Sequence, residues 1–387
     1  MEESSISNPT THSAERLRTL ESFLGSDPDN EQLFARCAAL AFEMRDFAAL
    51  LRIAAARLRR SPADRLARAA RARGHLGLGE YREAATILDT LSVEDPADLA
   101  TRQDLGLCYF CIGEYAHARP ALESVYRSGQ RDSGLLRLLL LTYHHLGLLG
   151  EAAELAASNS AAAQSDAALA GAYALLYLDA SRSAKAAQWA KTSLAMDPNN
   201  VDALTVQGTL LSGQGELEAA ERSFRAVLER APSTGRAWVG LGSTALLRQD
   251  FVRALDCLER GTKLLSTHVG SWHVLGWAYL LTNQLDGAER AFRKALELNR
   301  NFAETHGALA AVAALRGDRA SAEHSLELAL RLDPASLAAQ FARAVIAGQS
   351  GDQVRARQIV LTGLATLRVP AAMVEAARRA TEPATRH

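Results

Sequence analysis

Small and apolar residues recur along this chain with a step of 34 residues. Starts fall at 31, 65, 99, 133, 167, 201, 235, 269, 303 and 337, and no insertion is needed between them. Position 20 of the step is Ala in nine of ten cases, Leu50 being the exception. Position 8 is Gly or Ala in nine of ten, Leu140 being the exception. Position 15 is Gly at Gly79, Gly113, Gly147, Gly215, Gly317 and Gly351, and position 32 is Pro at Pro62, Pro96, Pro198, Pro232 and Pro334. Bulky residues such as Trp238, Leu241, Tyr109, Tyr81, Phe251 and Phe224 hold positions 4, 7, 11, 17 and 24.

Each column has a physical reason, and together they predict two helices per step, A and B, of roughly 12–14 residues each. Small residues at 8 and 20 let helices A and B approach where they cross. Gly at 15 closes helix A, because a left-handed turn costs Gly nothing. Pro at 32 stops helix B and suits the approach to the next helix A. No strand-like alternation persists anywhere. Before the first step, Leu17, Leu20, Phe23 and Leu24 keep helical spacing and Asp27-Pro28 follows. This predicts a disordered start over 1–12 and an N-terminal capping helix within 13–30. Ten repeats fill 31–370, and a C-terminal capping helix and tail fill 371–387.

The clearest step reads Trp272-x2-Leu275-Gly276-x2-Tyr279, followed by Ala288-x3-Phe292. This spacing resembles the tetratricopeptide repeat family. The resemblance covers about residues 31–370. It implies an all-α fold: an α-solenoid, a right-handed superhelix of ten helix–turn–helix repeats with terminal capping helices, in which helices A line the concave face. It also implies a non-enzymatic scaffold or adaptor that holds a peptide or helical segment of a partner protein in that groove. Bacterial secretion, chaperoning and envelope assembly are roles that such proteins fill.

At 100° per residue, positions 2, 5, 9, 12 and 13 of helix A share one face, opposite 4, 7, 8 and 11. Reading them along the chain gives two apolar patches separated by the polar sixth repeat, with Asp202, Thr205, Thr209 and Ser212. The first patch contains Leu107, Phe110, Leu141, His145, Leu175 and Leu178. The second contains Val239, Leu246, His273, Trp277 and Leu281. Trp277 at position 9 is the expected groove-exposed anchor. Two specialised modes of the family are disfavoured: position 9 holds no Asn for a carboxylate clamp, and position 6 holds no Asn ladder.

Composition adds little to this. A net charge of −1, from 43 basic and 44 acidic residues, gives no global reason to bind nucleic acid or an anionic membrane. No run of about 18 apolar residues exists to cross a bilayer. The first residues lack the charge and apolar core of a secretory signal. Four cysteines make no disulfide framework, and a reducing, cytoplasmic setting is expected. Heavy use of Ala, with Arg far outnumbering Lys, suggests a bacterial origin. One local imbalance stands out. Between Leu51 and Arg82 nine Arg face only Asp64 and Glu80, and Arg57, Arg59, Arg60 and Arg65 form a candidate patch for an acidic partner. That supports an alternative reading, a regulator that docks an acidic partner or nucleic acid there. Nucleic acid is the less favoured of the two, because no aromatics interleave the Arg run. A second copy of the chain is an admissible partner.

Catalytic signatures are missing. No phosphate-cradling loop or dinucleotide motif occurs. Cys108-x-x-Cys111 falls within a helix and has no second cysteine pair. His144 and His145 point about 100° apart, so they cannot share a metal. No enzyme activity, cofactor or metal is expected.

Overall fold

The computed structural model describes residues 9–352, 354 and 358. Residues 1–8 of the start expected over 1–12, and the C-terminal helix and tail over 371–387, lie outside the described residues, as does nearly all of the last expected helix B. The chain divides at Ser181 and Arg182 into two compact units. The division falls between the helices of the fifth step, and each unit is described by itself.

The first unit opens with α1 (Pro9–Ser26). Three helix pairs follow: α2 (Glu31–Glu43) with α3 (Phe47–Arg60), α4 (Arg65–Gly77) with α5 (Tyr81–Glu94), and α6 (Leu99–Cys111) with α7 (Tyr115–Arg127). Next come α8 (Ser133–His145), α9 (Leu149–Ser158), the single turn α10 (Ser160–Ala163) and α11 (Ala167–Asp179). The second unit runs from α12 (Ser183–Met196) through α13 (Val201–Gln214), α14 (Leu217–Arg230), α15 (Gly235–Leu247) and α16 (Phe251–Leu264). It continues with α17 (Val269–Leu281), α18 (Leu285–Leu298), α19 (Ala303–Leu315), α20 (Arg319–Leu332) and α21 (Leu337–Gln349). Every described element is helical, which is the architecture of an all-α solenoid.

The first helix corrects one expectation. Its described residues run from Pro9, so residues 9–12 of the expected disordered start are helical. Farther along α1, Leu17, Leu20 and Leu24 pack on Phe34, Cys37, Leu50 and Ile53 of the first pair.

Local chemistry sets where the helices start and stop. The residue before each helix A is its N-cap. Asn30, Asp64, Asp98, Asp132, Asp166 and Asn200 each accept a hydrogen bond from the amide three residues on. Such a cap stabilises a helix by about 1 kcal/mol. At the other end, every position 15 takes a left-handed φ. Six of them are Gly, and the other four are Arg45, Ser181, Gln249 and Asn283. The next amide then reaches back to the helix, as Glu114 N–H does to Tyr109 C=O at 2.8 Å.

The core lies between the helices of each pair. A Cβ placed on Gly106, Gly208, Gly242 or Gly276 at position 8 would come within 2.5–2.8 Å of Leu122, Phe224, Leu258 or Phe292. The small residue at 8 is therefore required by the large one at position 24, more than by the Ala at position 20.

Candidate protein-interaction surfaces

In the first unit, α2 turns Phe34, Cys37 and Ala41 inward and leaves positions 5, 9 and 12 open. Those positions are Ala35, Ala39 and Phe42. On α4, Leu66 and Ala69 stand opposite them. Together they line a cleft of about 290 Å³, with Glu43 and Arg73 also on its wall. Phe42 is 45% exposed and Leu66 42% exposed. Phe42 meets Phe47 edge-on at 5.9 Å, which steadies the ring without covering it. Sequence reasoning missed this cleft. The signal was present, because Phe42 holds position 12, Leu66 holds position 2, and Ala fills the places between.

Farther along this unit, Leu107, Phe110, Leu141, Leu175 and Leu178 are half-buried and His145 is exposed. The fold brings Phe110 and His145 together, with ring centroids 5.8 Å apart. Tyr115 stacks on His145 at 4.2 Å and meets Phe110 at 5.4 Å. His144 turns away instead, its Nε2 lying 2.5 Å from Asp179 Oδ2. The two rings are nearly perpendicular, at 84°. Cys108 is buried and desolvation pushes its thiol up to about 12, while Cys111 is exposed.

The second unit corrects the reading of Trp277, which is 7% exposed and not an open anchor. Its indole N–H donates to His273 Nε2 at 2.9 Å, and its rings meet Phe292 at 5.9 Å and Phe341 at 5.4 Å. His273 is also flanked by Phe302 at 5.4 Å. Burial drives the His273 pKa down to about 4, and its Nδ1 has no hydrogen-bond partner. Val239 packs against Gly261 of α16, and Val239 and Leu246 both pack against the core around Leu258 and Leu275. Leu281 is half-buried.

The helix that brings Phe341 to Trp277 is α21, which lies along α19. Glu304 at position 2 of α19 accepts from the amides of Leu337 and Ala338 at 2.8 and 2.9 Å. Gln349 Nε2 donates to Ala314 C=O at 2.6 Å. N-terminus thus meets N-terminus and C-terminus meets C-terminus, so the two helices run parallel. Between these ends a Cβ on Gly307 would lie 2.7 Å from the Ala338 carbonyl carbon. Gly307, Ala311 and Ala314, which hold positions 5, 9 and 12, are all buried.

The Arg-rich segment is also corrected. Its charge is largely used inside the unit. Arg57 binds Asp64 at 2.6 Å and lies 4.8 Å above the Phe34 ring. Arg60 forks onto Asp29 at 3.0 and 3.2 Å. Arg65 reaches Asp98 at 2.6 Å, Asp95 at 3.4 Å and Leu91 C=O at 3.3 Å. Arg68 forks onto Glu94 at 2.6 and 2.7 Å. Of the four patch residues, Arg59 is exposed without an ion pair of this kind. Burial would raise the Asp64 pKa, but the Ala67 amide and Arg57 hold this carboxyl below its usual range. The segment is basic in sequence, but six of its nine Arg are paired with carboxylates in space.

Among the described residues no helix is long and apolar enough to cross a membrane. Comparison with known proteins gives a consistent picture. Tetratricopeptide repeat models match residues 69–133, 205–264 and 269–302. The bovine (Bos taurus) BBSome complex member BBS4 is 24% identical over 179 residues, which is 46% of this chain and 34% of that protein. The match thus spans about a third of that relative's length. The solved APC/C hetero-tetramer Cut9–Hcn1 superposes with a TM-score of 0.54 at 15% identity, over 77% of this chain and 59% of that one. The Pseudomonas aeruginosa pilF structure aligns at 19% identity with a TM-score of 0.43, over 54% of this chain and 95% of that one. The repeat match falls on paired helices that start every 34 residues and close through a left-handed residue at position 15, and by these features the chain is a tetratricopeptide repeat protein.

Proposed function

We propose that this chain is a non-enzymatic scaffold whose helices A hold a segment of a partner protein, with the cleft between α2 and α4 as its open seat. Tetratricopeptide repeats are protein–protein interaction scaffolds, and that much follows from the family. The observation that carries the finer reading is the pair Phe42 and Leu66, large apolar side chains about two-fifths exposed on one Ala-lined cleft. Covering each would contribute about 1 kcal/mol. The guest that fits is a peptide or helical segment with a bulky aliphatic anchor, flanked by polar groups for Glu43 and Arg73. Assembly or chaperoning of secretion or envelope components is a cellular role compatible with such a seat. The alternative, an acidic partner on Arg57, Arg59, Arg60 and Arg65, is weakened because three of the four are already engaged by carboxylates.

The test is co-purification with chemical cross-linking from source cells, using the wild type and a Phe42→Glu/Leu66→Glu variant of equal helicity. The variant loses the partner cross-linked through α2 and α4. An unchanged partner set would remove the cleft from the account. Sedimentation of the purified chain separately reports self-association.

A further inference from the structure

The inner face of α19 is covered by a helix of the same chain. Positions 2, 5, 9 and 12 of a helix A are those a tetratricopeptide array offers to its guests. On α19 they are Glu304, Gly307, Ala311 and Ala314, and each is either buried or bonded to α21. The covering helix is itself turned: Ala338, Phe341 and Val345, its own positions 2, 5 and 9, are fully buried, whereas Gln340 and Arg343 at 4 and 7 are half-exposed. Phe341 crosses over α19 to reach Trp277 on α17.

We infer that α17 and α19 form a helix-binding face, that α21 is its displaceable resident, and that its partner is a parallel helix of the α21 pattern, small residues with one aromatic. Three features support exchange. The centre of the contact is small, Gly307, Ala311 and Ala314 against Ala338, and Phe341 is the largest side chain α21 brings to it, with Val345 and Leu337 beside it. The Glu304 carboxylate grips backbone amides, and any incoming helix N-terminus presents such groups. The face is also not fully satisfied by its resident. His273 Nε2 accepts from Trp277, so the proton of the neutral ring sits on Nδ1, and that donor is buried without a partner. An unmet buried donor costs about 1–3 kcal/mol. Only residues 333–336 tether α21 to α20. The resident therefore holds the face at high effective concentration and competes with outside helices. This inference rests on the reading that helices A hold a partner segment. It concerns a different surface from the α2–α4 cleft, so each can fail alone.

The test uses the full chain and a fluorescent synthetic peptide spanning residues 335–350. Anisotropy should show the Phe341→Ala chain binding this peptide at least about tenfold more tightly than the wild type does, because the tethered competitor is weakened. The same peptide carrying Phe341→Ala should lose that gain. A Phe341→Ala chain that is folded by circular dichroism yet binds both peptides alike, or neither, overturns the inference. A concentration-dependent dimer in sedimentation would mean exchange of α21 between copies and also overturns the partner-helix assignment. If Phe341→Ala does not fold, hydrogen exchange on the wild type decides. Displaceability requires amides 338–349 to exchange at least about tenfold faster than those of α17 and α19, and equal protection ends the proposal.

Discussion

Placing a methyl group on Gly276 tests the packing rule on which each helix pair depends. Gly276 is position 8 of α17. A Cβ there would lie 2.5, 2.6 and 2.8 Å from Cε1, Cδ1 and Cζ of Phe292. Ordinary carbon–carbon contact is about 3.5–4.0 Å, so the pair is short by about 1 Å. Phe292 is fully buried, with the His273 and Trp277 rings 5.4 and 5.9 Å away, so its ring cannot swing aside. Helices α17 and α18 must separate instead, at an overpacking cost of about 1–3 kcal/mol. Opposing this, Ala favours a helix over Gly by about 0.8–1 kcal/mol. The expected net effect of Gly276→Ala is a loss of up to about 2 kcal/mol.

The sequence supplies the compensating change. Where position 8 is Ala38 or Ala72, position 24 is Ala54 or Leu88 and never Phe. Phe292→Leu alone should cost about 1 kcal/mol. Combined with Gly276→Ala it should cost clearly less than the sum, with a coupling of about 1 kcal/mol. Urea unfolding followed by tryptophan fluorescence in a Trp189→Phe/Trp238→Phe background, which leaves Trp272 and Trp277, reads this region. A stabilising Gly276→Ala, or a strictly additive double variant, would refute the argument that position 24 dictates position 8.

Gln249 closes α15 at φ +61°, so Gln249→Gly should add about 0.5–1 kcal/mol and Gln249→Val should lose more than that, both read by chemical denaturation. His273 is held neutral by burial, with its pKa near 4 against an ordinary 6.5; the unfolded chain therefore takes up the proton first, and stability should fall as pH drops from about 6.5 to about 4, by at most about 3 kcal/mol. A His273→Asn variant should flatten that part of the pH profile, and an unchanged slope would assign it to other groups. Arg65→Ala removes contacts to two carboxylates and to Leu91 C=O; it should cost about 1 kcal/mol in a melt and leave partner capture unchanged, whereas a docking role would reverse that pattern.

The fold was legible because its determinants are local and recur. The caps before each helix A and the left-handed residue at 15 act within a few residues of themselves, and the small residue at 8 answers position 24 of its own repeat, so a periodic sequence displays them. Even here part was hidden, since Arg45, Ser181, Gln249 and Asn283 take the left-handed φ with no Gly to announce it. Function was less legible because it depends on neighbours a repeat or more away. The Arg-rich run looked unbalanced within its own segment. Its acids lie about one repeat away, with Arg60 paired to Asp29 and Arg65 to Asp98. The wheel gave Trp277 a place on α17 but no neighbours. It could not show that Phe341, two repeats later, would arrive on the same face.

The open cleft and the covered face show how one design yields two outcomes. Both are pairs of successive helices A with Ala or Gly at positions 5 and 9 of the first: Ala35 and Ala39 on α2, Gly307 and Ala311 on α19. They differ at the ends. In the first pair, position 12 is Phe42 and position 2 of the next helix is Leu66. In the second pair these are Ala314 and Ala338. In the first pair these large side chains line an open trough between α2 and α4. With only methyl groups there, α21 closes on α19 until a single added Cβ would meet backbone. On the proposal that helices A seat a partner segment, the side chains at these two places, as much as how apolar the face is, distinguish the open trough from the covered one.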